Sequence, residues 1–202
     1  MTIGVLALQG DFAEHIAVLR GLHADAIEVR RPEQIDDLDG LIIPGGESTT
    51  ISRLMERWAL LEAIRRRAGE GMAVWGTCAG AILLAERTTD LDRDGLRLMD
   101  IAVERNAFGR QVDSFEAALD VPALGPPPYP AVFIRAPRIT NVGPKATPLA
   151  RLADGTIVAA RQERMLATAF HPELTNDHRF HKYFLSIAKH AGAQLSATAE
   201  TG

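Results

Sequence analysis

Residues 72–84 read MAVWGTCAGAILL, an apolar run that stops at Gly76 and resumes directly after Cys78. The first run predicts a strand, and the second, helix-prone run predicts a helix. A glycine stands two residues to either side of Cys78, which is the cysteine form of the G-x-nucleophile-x-G elbow. Such a turn needs glycine where the neighbouring backbone passes too close for a Cβ. The stretch therefore predicts a cysteine held above the edge of a sheet.

The predicted place of Cys78 favours its thiolate form, because the start of a helix offers free N–H groups and a partial positive charge. A different interpretation is that Cys78 is a small buried hydrophobe, as most lone cysteines in apolar stretches are. The G-x-C-x-G pattern is short and does not separate the two. The rest of the chain has to decide between them.

Length and composition predict one globular domain. The chain has 202 residues, of which 47% are hydrophobic and 24% charged, enough to bury a full core. We expect this domain to span residues 1–192, and the small, polar residues 193–202 to form a flexible tail.

Charge and cysteine content narrow the class of partners and the compartment. The net charge is −4 and no basic run is present, so nucleic acid and anionic membranes are poor candidate partners. The single cysteine excludes an internal disulfide and suits a reducing compartment. No stretch has the length of a membrane span, and the first apolar run, Ile3–Leu8, lacks the basic start of a signal peptide. We expect a cytoplasmic protein.

The first half of the chain alternates strands and helices. Asp11 is expected to cap the first helix, and one later helix is expected to start near Ser48 or Thr49 and continue beyond Trp58. This order predicts a three-layer α/β fold, with a mostly parallel central sheet and helices on both faces. The predicted strands are Ile3–Leu8, Ala26–Val29, Leu41–Ile43 and Met72–Trp75.

The second half predicts strands with few helices between them, and we expect these strands to extend the same sheet in antiparallel fashion. Asp154-Gly155 is a hairpin turn signal. Residues 178–191 predict a closing amphipathic helix. The predicted strands are Leu98–Val103, Phe115–Val121, Val132–Arg135, Ile157–Ala160 and Leu166–Phe170.

A diglycine turn, Pro44-Gly45-Gly46-Glu47-Ser48-Thr49-Thr50, follows the third predicted strand. Adjacent glycines before a helix let backbone N–H groups face a ligand oxygen, as in an oxyanion hole or an anion nest. A tight turn with a Ser or Thr cap explains the same residues. The stretch is not a nucleotide-binding P-loop, because the lysine of that motif is missing.

The triplet His171-Pro172-Glu173 follows the last predicted strand. A residue before proline favours extended geometry, and extended residues two apart point to the same side. His171 and Glu173 are therefore expected to share a side, with the carboxylate orienting the imidazole toward a nucleophile. Alone, the triplet also fits an ordinary surface loop. Combined with the elbow and the diglycine turn, it predicts a Cys-His-Glu triad at the carboxyl edge of the sheet.

These motifs resemble the class I, or triad, glutamine amidotransferases. Further stretches are similar to one family among them, the glutaminase subunits of pyridoxal 5′-phosphate synthase. The resemblance covers roughly residues 2–190, nearly the whole chain. The stretches that carry it are Leu8-Gln9-Gly10, residues 44–50, 104–116 (ERNAFGRQVDSFE) and 133–137 (FIRAP), and residues 170–175.

The resemblance implies a role for each matching position. Cys78 would be the nucleophile, His171 the acid and base, and Glu173 its orienting partner. The N–H groups of Gly46 and Ala79 would form the oxyanion hole. Without the resemblance, the two arginines among the implied contacts would be interpreted as ordinary surface residues. The implied glutamine contacts are Gly46, Glu47, Ser48, Arg105, Ile134 and Arg135.

The implied reaction hydrolyses L-glutamine to L-glutamate and ammonia through a cysteine thioester. Free ammonia in neutral water becomes ammonium, which is not a nucleophile, so a docked acceptor and a dry passage are expected. The implied partner is the synthase subunit that builds pyridoxal 5′-phosphate, in a large complex of paired subunits. The chain itself is expected to bind no metal and no cofactor, pyridoxal phosphate included.

Other functions fit parts of the same pattern. A related amidotransferase subunit could serve a different biosynthetic synthase, and the copurifying synthase would identify it. A γ-glutamyl peptidase-like hydrolase would prefer γ-glutamyl peptides to glutamine. A regulatory module that keeps the elbow as a scaffold would have an inert thiol at Cys78.

Overall fold

The computed structural model describes residues 1–89, 95–105 and 114–199, with side chains up to residue 189. The first half alternates strands and helices as predicted. Its elements are β1 (Thr2–Leu6), α1 (Phe12–Gly21), β2 (Asp25–Val29), β3 (Gly40–Ile43), α2 (Ser48–Arg57), α3 (Leu60–Gly69), β4 (Ala73–Thr77) and α4 (Ala79–Leu84).

The second half consists mainly of strands and closes with a long helix. The elements are β5 (Ala85–Thr88), β6 (Met99–Glu104), β7 (Ser114–Leu119), β8 (Tyr129–Ile134), β9 (Arg138–Val142), β10 (Thr147–Arg151), β11 (Ile157–Gln162), β12 (Met165–Thr168) and α5 (Arg179–Ala199). Short 3₁₀ turns lie at Pro32–Ile35 and Pro172–Leu174. Helix α5 runs past its predicted end at residue 191, and a flexible tail over residues 193–202 stays a prediction, as does the domain boundary at 192.

The main sheet has the order β2-β1-β3-β4-β12-β11-β9-β6-β5, with β10 paired to β11. Its first five strands are parallel. Strand β11 is antiparallel to β12, β10 and β9, and β9 is antiparallel to β6. The predicted α/β class, with a parallel half and antiparallel additions, is confirmed. Strand β12 runs parallel to β4 rather than antiparallel, so both strands end at the same edge.

The two faces of the sheet carry separate cores. Helices α1 and α5 cover one face, where Trp75, Phe180 and Phe184 are fully buried. Helices α2, α3 and α4 cover the other face, above residues such as Ile43 and Val74. The alternation within β4 explains this, because neighbouring strand residues point to opposite faces. The predicted three layers are confirmed.

Two predicted strands lie where the sequence placed them, but they do not pair with the main sheet as predicted. Strands β7 and β8 form a two-stranded antiparallel sheet of their own instead of extending the main sheet. Phe115 and Phe133 stack within this ribbon at 4.5 Å between ring centres. Phe133 also packs edge-on against Phe170, which follows β12. The ribbon is thereby fixed over the end of β12 through these aromatic contacts and through a backbone hydrogen bond of 2.8 Å from the His171 N–H to the Val132 carbonyl oxygen.

The single helix predicted from Ser48 onward is wrong. The chain breaks at Ala59, whose φ of 57° is left-handed, and α3 starts at the next residue. Trp58, predicted on the buried face, is 51% exposed. No glycine or proline marks the break, and apolar residues recur at helical spacing on both sides of it, so the pattern gave no signal.

Three strands were missed, β5, β9 and β10. The turn predicted at Asp154-Gly155 is confirmed: it joins β10 to β11, with Gly155 at a φ of 87°. Within the described part of the chain, every helix is too short or too polar to cross a membrane.

Candidate active site

Cys78 is the single residue between the end of β4 at Thr77 and the start of α4 at Ala79. Its φ of 47° and ψ of −105° lie outside the regions that non-glycine residues prefer. A Cβ on Gly80 would lie 2.0 Å from the Ile43 carbonyl oxygen, and one on Gly76 would lie 2.4 Å from the backbone of Gly80. The surrounding backbone therefore imposes the strained turn, as in nucleophile elbows. Cys78 is 7% exposed at the start of α4.

His171 and Glu173 meet as predicted, although by a different backbone route. The segment after His171 is a 3₁₀ turn over Pro172–Leu174, not an extended stretch. The short turn still brings His171 Nδ1 to 2.7 Å from Glu173 Oε1. The extended geometry was inferred from the proline after His171, but the ψ of 88° at His171 lies below the extended range, although its φ of −103° fits. Proline then starts the turn, a position it favours.

The electrostatics of the pair favour a protonated imidazole. Burial alone would lower the pKa of His171, but hydrogen bonds to the side chains of Cys78 and Glu173, and the charges of both, raise it to about 10. Burial would raise the pKa of Glu173, but the neighbouring His15 and His171 hold it well below its usual range. The site thus stabilises an imidazolium between a sulfur and a carboxylate.

A second carboxylate that the sequence assigned to a different task lies beside His171. Asp11 was expected to cap α1 with its side chain, and although it occupies the N-cap position, it makes no such bond. Its Oδ2 instead lies 3.4 Å from His171 Nδ1, on a side chain that is 42% exposed. Burial, opposed by the charge of His171, raises the pKa of Asp11. The predicted N-cap position of Asp11 is therefore confirmed, but its side chain makes no capping bond and lies against the imidazole instead.

Asp11, His171 and Glu173 are also the described residues whose ligand atoms come close enough to hold a metal, within 4.8 Å of one another. The His171–Glu173 hydrogen bond and the contact of Asp11 with the same imidazole account for this closeness. We assign no metal to them.

The diglycine turn is held by residues from the loop after β1. Gln9 Oε1 accepts a hydrogen bond of 2.7 Å from the backbone N–H of Glu47. Gly10 lies against the turn, since a Cβ built on it would be 1.8 Å from the Gly45 carbonyl oxygen. Gly46 adopts a φ of 152°, which disfavours any side chain at that position. The loop after β1 therefore fixes the position of the Gly45–Gly46 peptide, and Gly46 lines the same cavity as Cys78.

The helix after this turn is capped by Glu47, not by Ser48 or Thr49. Glu47 accepts hydrogen bonds from the backbone N–H groups of Thr49 and Thr50 at 3.0 and 2.6 Å. Burial would raise the pKa of Glu47, but its hydrogen bonds to Thr50 and Thr49 lower it overall. Arg105 Nη2 lies 3.3 Å from Glu47 Oε1, which links β6 to the same turn.

A cavity of about 500 Å³ collects these groups. Arg135, beside it, has a φ of 42°, a strained value for a non-glycine residue. Ile134 is 38% exposed at its mouth. The structure thus gathers at one cavity all the predicted site residues except Glu173, which lies behind His171. Those that line it are Gly46, Glu47, Ser48, Cys78, Ala79, Arg105, Ile134, Arg135 and His171.

Sequence reasoning missed two polar residues at this site and one behind it. Gln9 and Asp11 line the cavity, and His15 lies 3.2 Å from Glu173. The signal for His15 was a histidine on the apolar face of α1. The stretch 106–113, which contributed to the resemblance, lies outside the described residues.

Comparisons with known proteins agree on one family. The sequence profile of the SNO glutamine amidotransferase family matches residues 5–190. The pyridoxal 5′-phosphate synthase subunit PdxT of Herpetosiphon aurantiacus is 60% identical over 190 residues, covering 93% of this chain and 100% of that protein. The subunit of the same name from Dehalococcoides mccartyi is 57% identical over 192 residues, covering 94% and 98%.

Solved structures support the same assignment. A crystal structure of a glutamine amidotransferase, 49% identical, superposes with a TM-score of 0.88 over 93% of this chain and 98% of the other. A putative GMP synthase subunit from Thermoplasma acidophilum has a TM-score of 0.71 at 18% identity, covering 97% and 98%. This second similarity concerns the fold alone.

Proposed function

Because this chain belongs to the SNO glutamine amidotransferase family, we propose that it hydrolyses L-glutamine to L-glutamate and ammonia for pyridoxal 5′-phosphate synthesis. The observation that carries the proposal is the geometry around Cys78. A strained elbow cysteine, a buried imidazole and a buried carboxylate converge at one cavity edged by a diglycine turn. This is the arrangement that acyl transfer from an amide needs.

In the proposed reaction, the Cys78 thiolate, whose proton His171 already holds, attacks the side-chain amide carbon of glutamine. The carbonyl oxygen of the substrate becomes an oxyanion. His171 then gives the proton to the amide nitrogen, the C–N bond breaks, and ammonia leaves a γ-glutamyl thioester on Cys78. Water attacks the thioester with His171 as base, which releases glutamate and restores the thiolate and the imidazolium. Glu173 holds the imidazole in the tautomer that both steps require.

The oxyanion is proposed to accept hydrogen bonds from the backbone N–H groups of Gly46 and Ala79. Ala79 is the first residue of α4, where N–H groups have no partner within the helix. Losing one such donor typically costs about 3–4 kcal/mol in the barrier. A small rotation of the Gly45–Gly46 peptide would therefore switch the activity.

The charged residues around the cavity suit a free amino acid. We propose that Arg105 and Arg135 pair with the α-carboxylate of glutamine. Glu47 would attract its α-ammonium, and Ser48 and the backbone at Ile134 would complete the contacts. The half-exposed Glu47 keeps its hydrogen bonds to α2 in the free site, so substrate binding would compete with Arg105 for this carboxylate.

A partner is proposed from the relatives, which are subunits of pyridoxal 5′-phosphate synthase by name. The ammonia would pass to the synthase subunit before it meets bulk water, in a complex of several paired subunits. The free thiol of Cys78 needs a reducing environment, which supports the cytoplasm as the compartment. Neither a metal nor pyridoxal phosphate takes part in the proposed steps of this chain.

Replacing the nucleophile tests the proposal. Cys78→Ala should abolish glutamate release from glutamine, measured with the synthase subunit present, while the melting temperature stays within a few degrees of the wild type. Cys78→Ser keeps a hydroxyl in the same place and serves as the matched control for packing. Turnover by Cys78→Ala at a rate near that of the wild type would refute the nucleophile assignment.

A further inference from the structure

His15 is a fully buried histidine on the inner face of α1. Its neighbours on that face, Ile16 and Leu19, are apolar and buried. Its ring stands edge-on to Trp75, at 5.8 Å between ring centres. A polar ring in such surroundings is costly unless its nitrogens find partners, so the contacts of both nitrogens indicate what the residue does.

The two oxygens of Glu173 are shared between two imidazoles. Oε1 lies 2.7 Å from His171 Nδ1, on the side of the nucleophile. Oε2 lies 3.2 Å from His15 Nε2, on the side of α1. The side chains of Glu173 and His15 have no exposed surface, so bulk solvent does not reach this carboxylate. Because an ionised carboxylate only accepts hydrogen bonds, His15 Nε2 must carry a proton to pair with it.

The second nitrogen of His15 is held by another histidine. Nδ1 lies 3.0 Å from Nε2 of His181, which α5 contributes. His181 Nδ1 is buried and has no hydrogen-bond partner among the described residues. Burial and the neighbouring His15 lower the pKa of His181 to about 2, so this ring is neutral. If His181 carries its single proton on Nε2, it donates to His15 Nδ1 and leaves the His15 proton on Nε2, facing Glu173.

We propose that His15 is a positioning residue for the glutaminase reaction, donating its Nε2–H to Glu173 and thereby holding the carboxylate against His171. This inference rests on the proposed function. In the present geometry His15 Nε2 has a hydrogen bond with the Thr77 hydroxyl, at 3.3 Å, and Glu173 Oε2 has no aligned donor among the described residues. The carboxylate oxygen is nearer to the same nitrogen, at 3.2 Å, and charged, and hydrogen bonds to charged acceptors are the stronger ones. Thr77 precedes Cys78, so the network also reaches the elbow.

The nearby Asp11 shows why Glu173 needs to be held. Asp11 Oδ2 lies 3.4 Å from the same His171 nitrogen that Glu173 binds. A Glu173 side chain released from His15 would be free to turn. The His171 ring would then pair with the half-exposed Asp11 instead of Glu173. That change would draw the imidazole away from its working orientation without unfolding the protein. His15 therefore selects which of two carboxylates orients the catalytic base.

Three variants test the role by activity. His15→Leu keeps the bulk and removes the donor, whereas His15→Gln keeps an N–H in the place of Nε2. Leu19→Ala, in the same helix and also fully buried, is the control for a merely weakened α1. Loss of an outer positioning partner typically costs about 10- to 100-fold. We expect this loss in kcat for His15→Leu, with KM for glutamine within about twofold of the wild type, substantial rescue in His15→Gln, and normal kcat in folded Leu19→Ala.

Two results would overturn the proposal. One is a folded His15→Leu with the kcat of the wild type, and the other is equal impairment of the Leu and Gln variants. Nitrogen-15 NMR of the histidine rings in the wild type gives a readout that needs no turnover. A proton on His15 Nε2 supports the proposal, and an unprotonated Nε2 overturns it. Glutaminase activity of the wild type that is absent from Cys78→Ala shows separately that the proposed function stands.

Discussion

At the scale of single residues, the site depends on a few side chains held in costly states. Cys78 has a strained backbone conformation, and His171 and Glu173 carry opposite charges although both side chains are buried. Each state persists because neighbours compensate for it: the glycines that flank the elbow, and the histidine pair behind the carboxylate. Such compensated strain is typical of active sites.

The buried imidazolium predicts how stability depends on pH. The folded pKa of His171 is raised from 6.5 to about 10, so its contribution is fully present below pH 6.5 and is lost as the pH rises toward 10. Urea unfolding at pH 6, 8 and 10 should show a free energy of unfolding that falls over this range. In His171→Gln that part of the fall should disappear.

The exposed His23 provides the control for this experiment. His23→Asn should keep the pH dependence of the wild type, because its ring lies in solvent and asparagine tolerates the left-handed φ of 58° at this position. Identical pH profiles for the wild type and His171→Gln would contradict the assignment of the fall to His171.

At the scale of elements, the turn after β3 depends on the loop after β1. Gly10→Ala would place a Cβ 1.8 Å from the Gly45 carbonyl oxygen at a φ of 100°, so the diglycine turn must shift. Because that turn carries a proposed oxyanion donor, kcat for glutamine hydrolysis should fall by at least about 100-fold. Steady-state kinetics with the synthase subunit present would measure it.

Gly21→Ala, at the end of α1, is the matched control, because a Cβ there meets nothing within 4 Å. Its kcat should equal that of the wild type. A Gly10→Ala protein with full activity would show that the turn does not need its present position.

The break between α2 and α3 predicts a stabilising substitution. Ala59 has a φ of 57°, and the left-handed region costs a non-glycine residue about 1–2 kcal/mol. Glycine avoids this cost, but it gives the unfolded chain more conformational freedom, which lowers the free energy of unfolding by about 0.4–1 kcal/mol. Ala59→Gly should therefore raise the free energy of unfolding by up to about 1 kcal/mol, measured by urea denaturation.

Ala63→Gly, inside α3, should do the opposite and lower the free energy of unfolding by about 1 kcal/mol. Both variants replace an alanine with a glycine, and the two positions differ in backbone conformation, left-handed at Ala59 and helical at Ala63. If both variants were destabilised equally, the left-handed turn at Ala59 would not be a source of strain.

At the scale of the whole molecule, the order of strands and helices in the first half was readable from the sequence, because buried parallel strands and amphipathic helices leave strong periodic patterns. Cys78, Gly76 and Gly80 were predictable for the same reason, since the elbow is a local rule. Strands β5, β9 and β10 were not predicted, because their residues show no clear alternation of apolar and polar side chains, and β9 pairs with strands distant in the sequence.

The site shows the same division between local and distant information. His171 and Glu173 are two residues apart, and their pairing was predicted. His15 and Glu173 lie on α1 and on the last turn before α5, and no local pattern relates them. Asp11 had a sound local explanation as a helix cap, which tertiary contact with His171 overrides. Contacts between distant segments were thus the part that could not be predicted.

The cavity predicts that a partner controls the activity. Ile134 and Leu174 line it and are 38% and 44% exposed, so apolar surface is exposed at the cavity, where a docked partner would cover it. Adding the synthase subunit should raise kcat for glutamine hydrolysis well above that of the isolated chain. Bovine serum albumin at the same mass concentration is the control for crowding, and equal rates in all three mixtures would argue against control by assembly.

The two tryptophans stand in opposite environments. Trp75 is fully buried, touches the rings of His15 and His181 and donates a hydrogen bond to Thr168, whereas Trp58 is half-exposed on the far side of the sheet. A protein in which Trp58 is phenylalanine would thus emit from one indole alone, beside the histidine pair. Its emission would therefore report on the packing of α1 and α5 against β4, directly behind the side chains of the proposed triad.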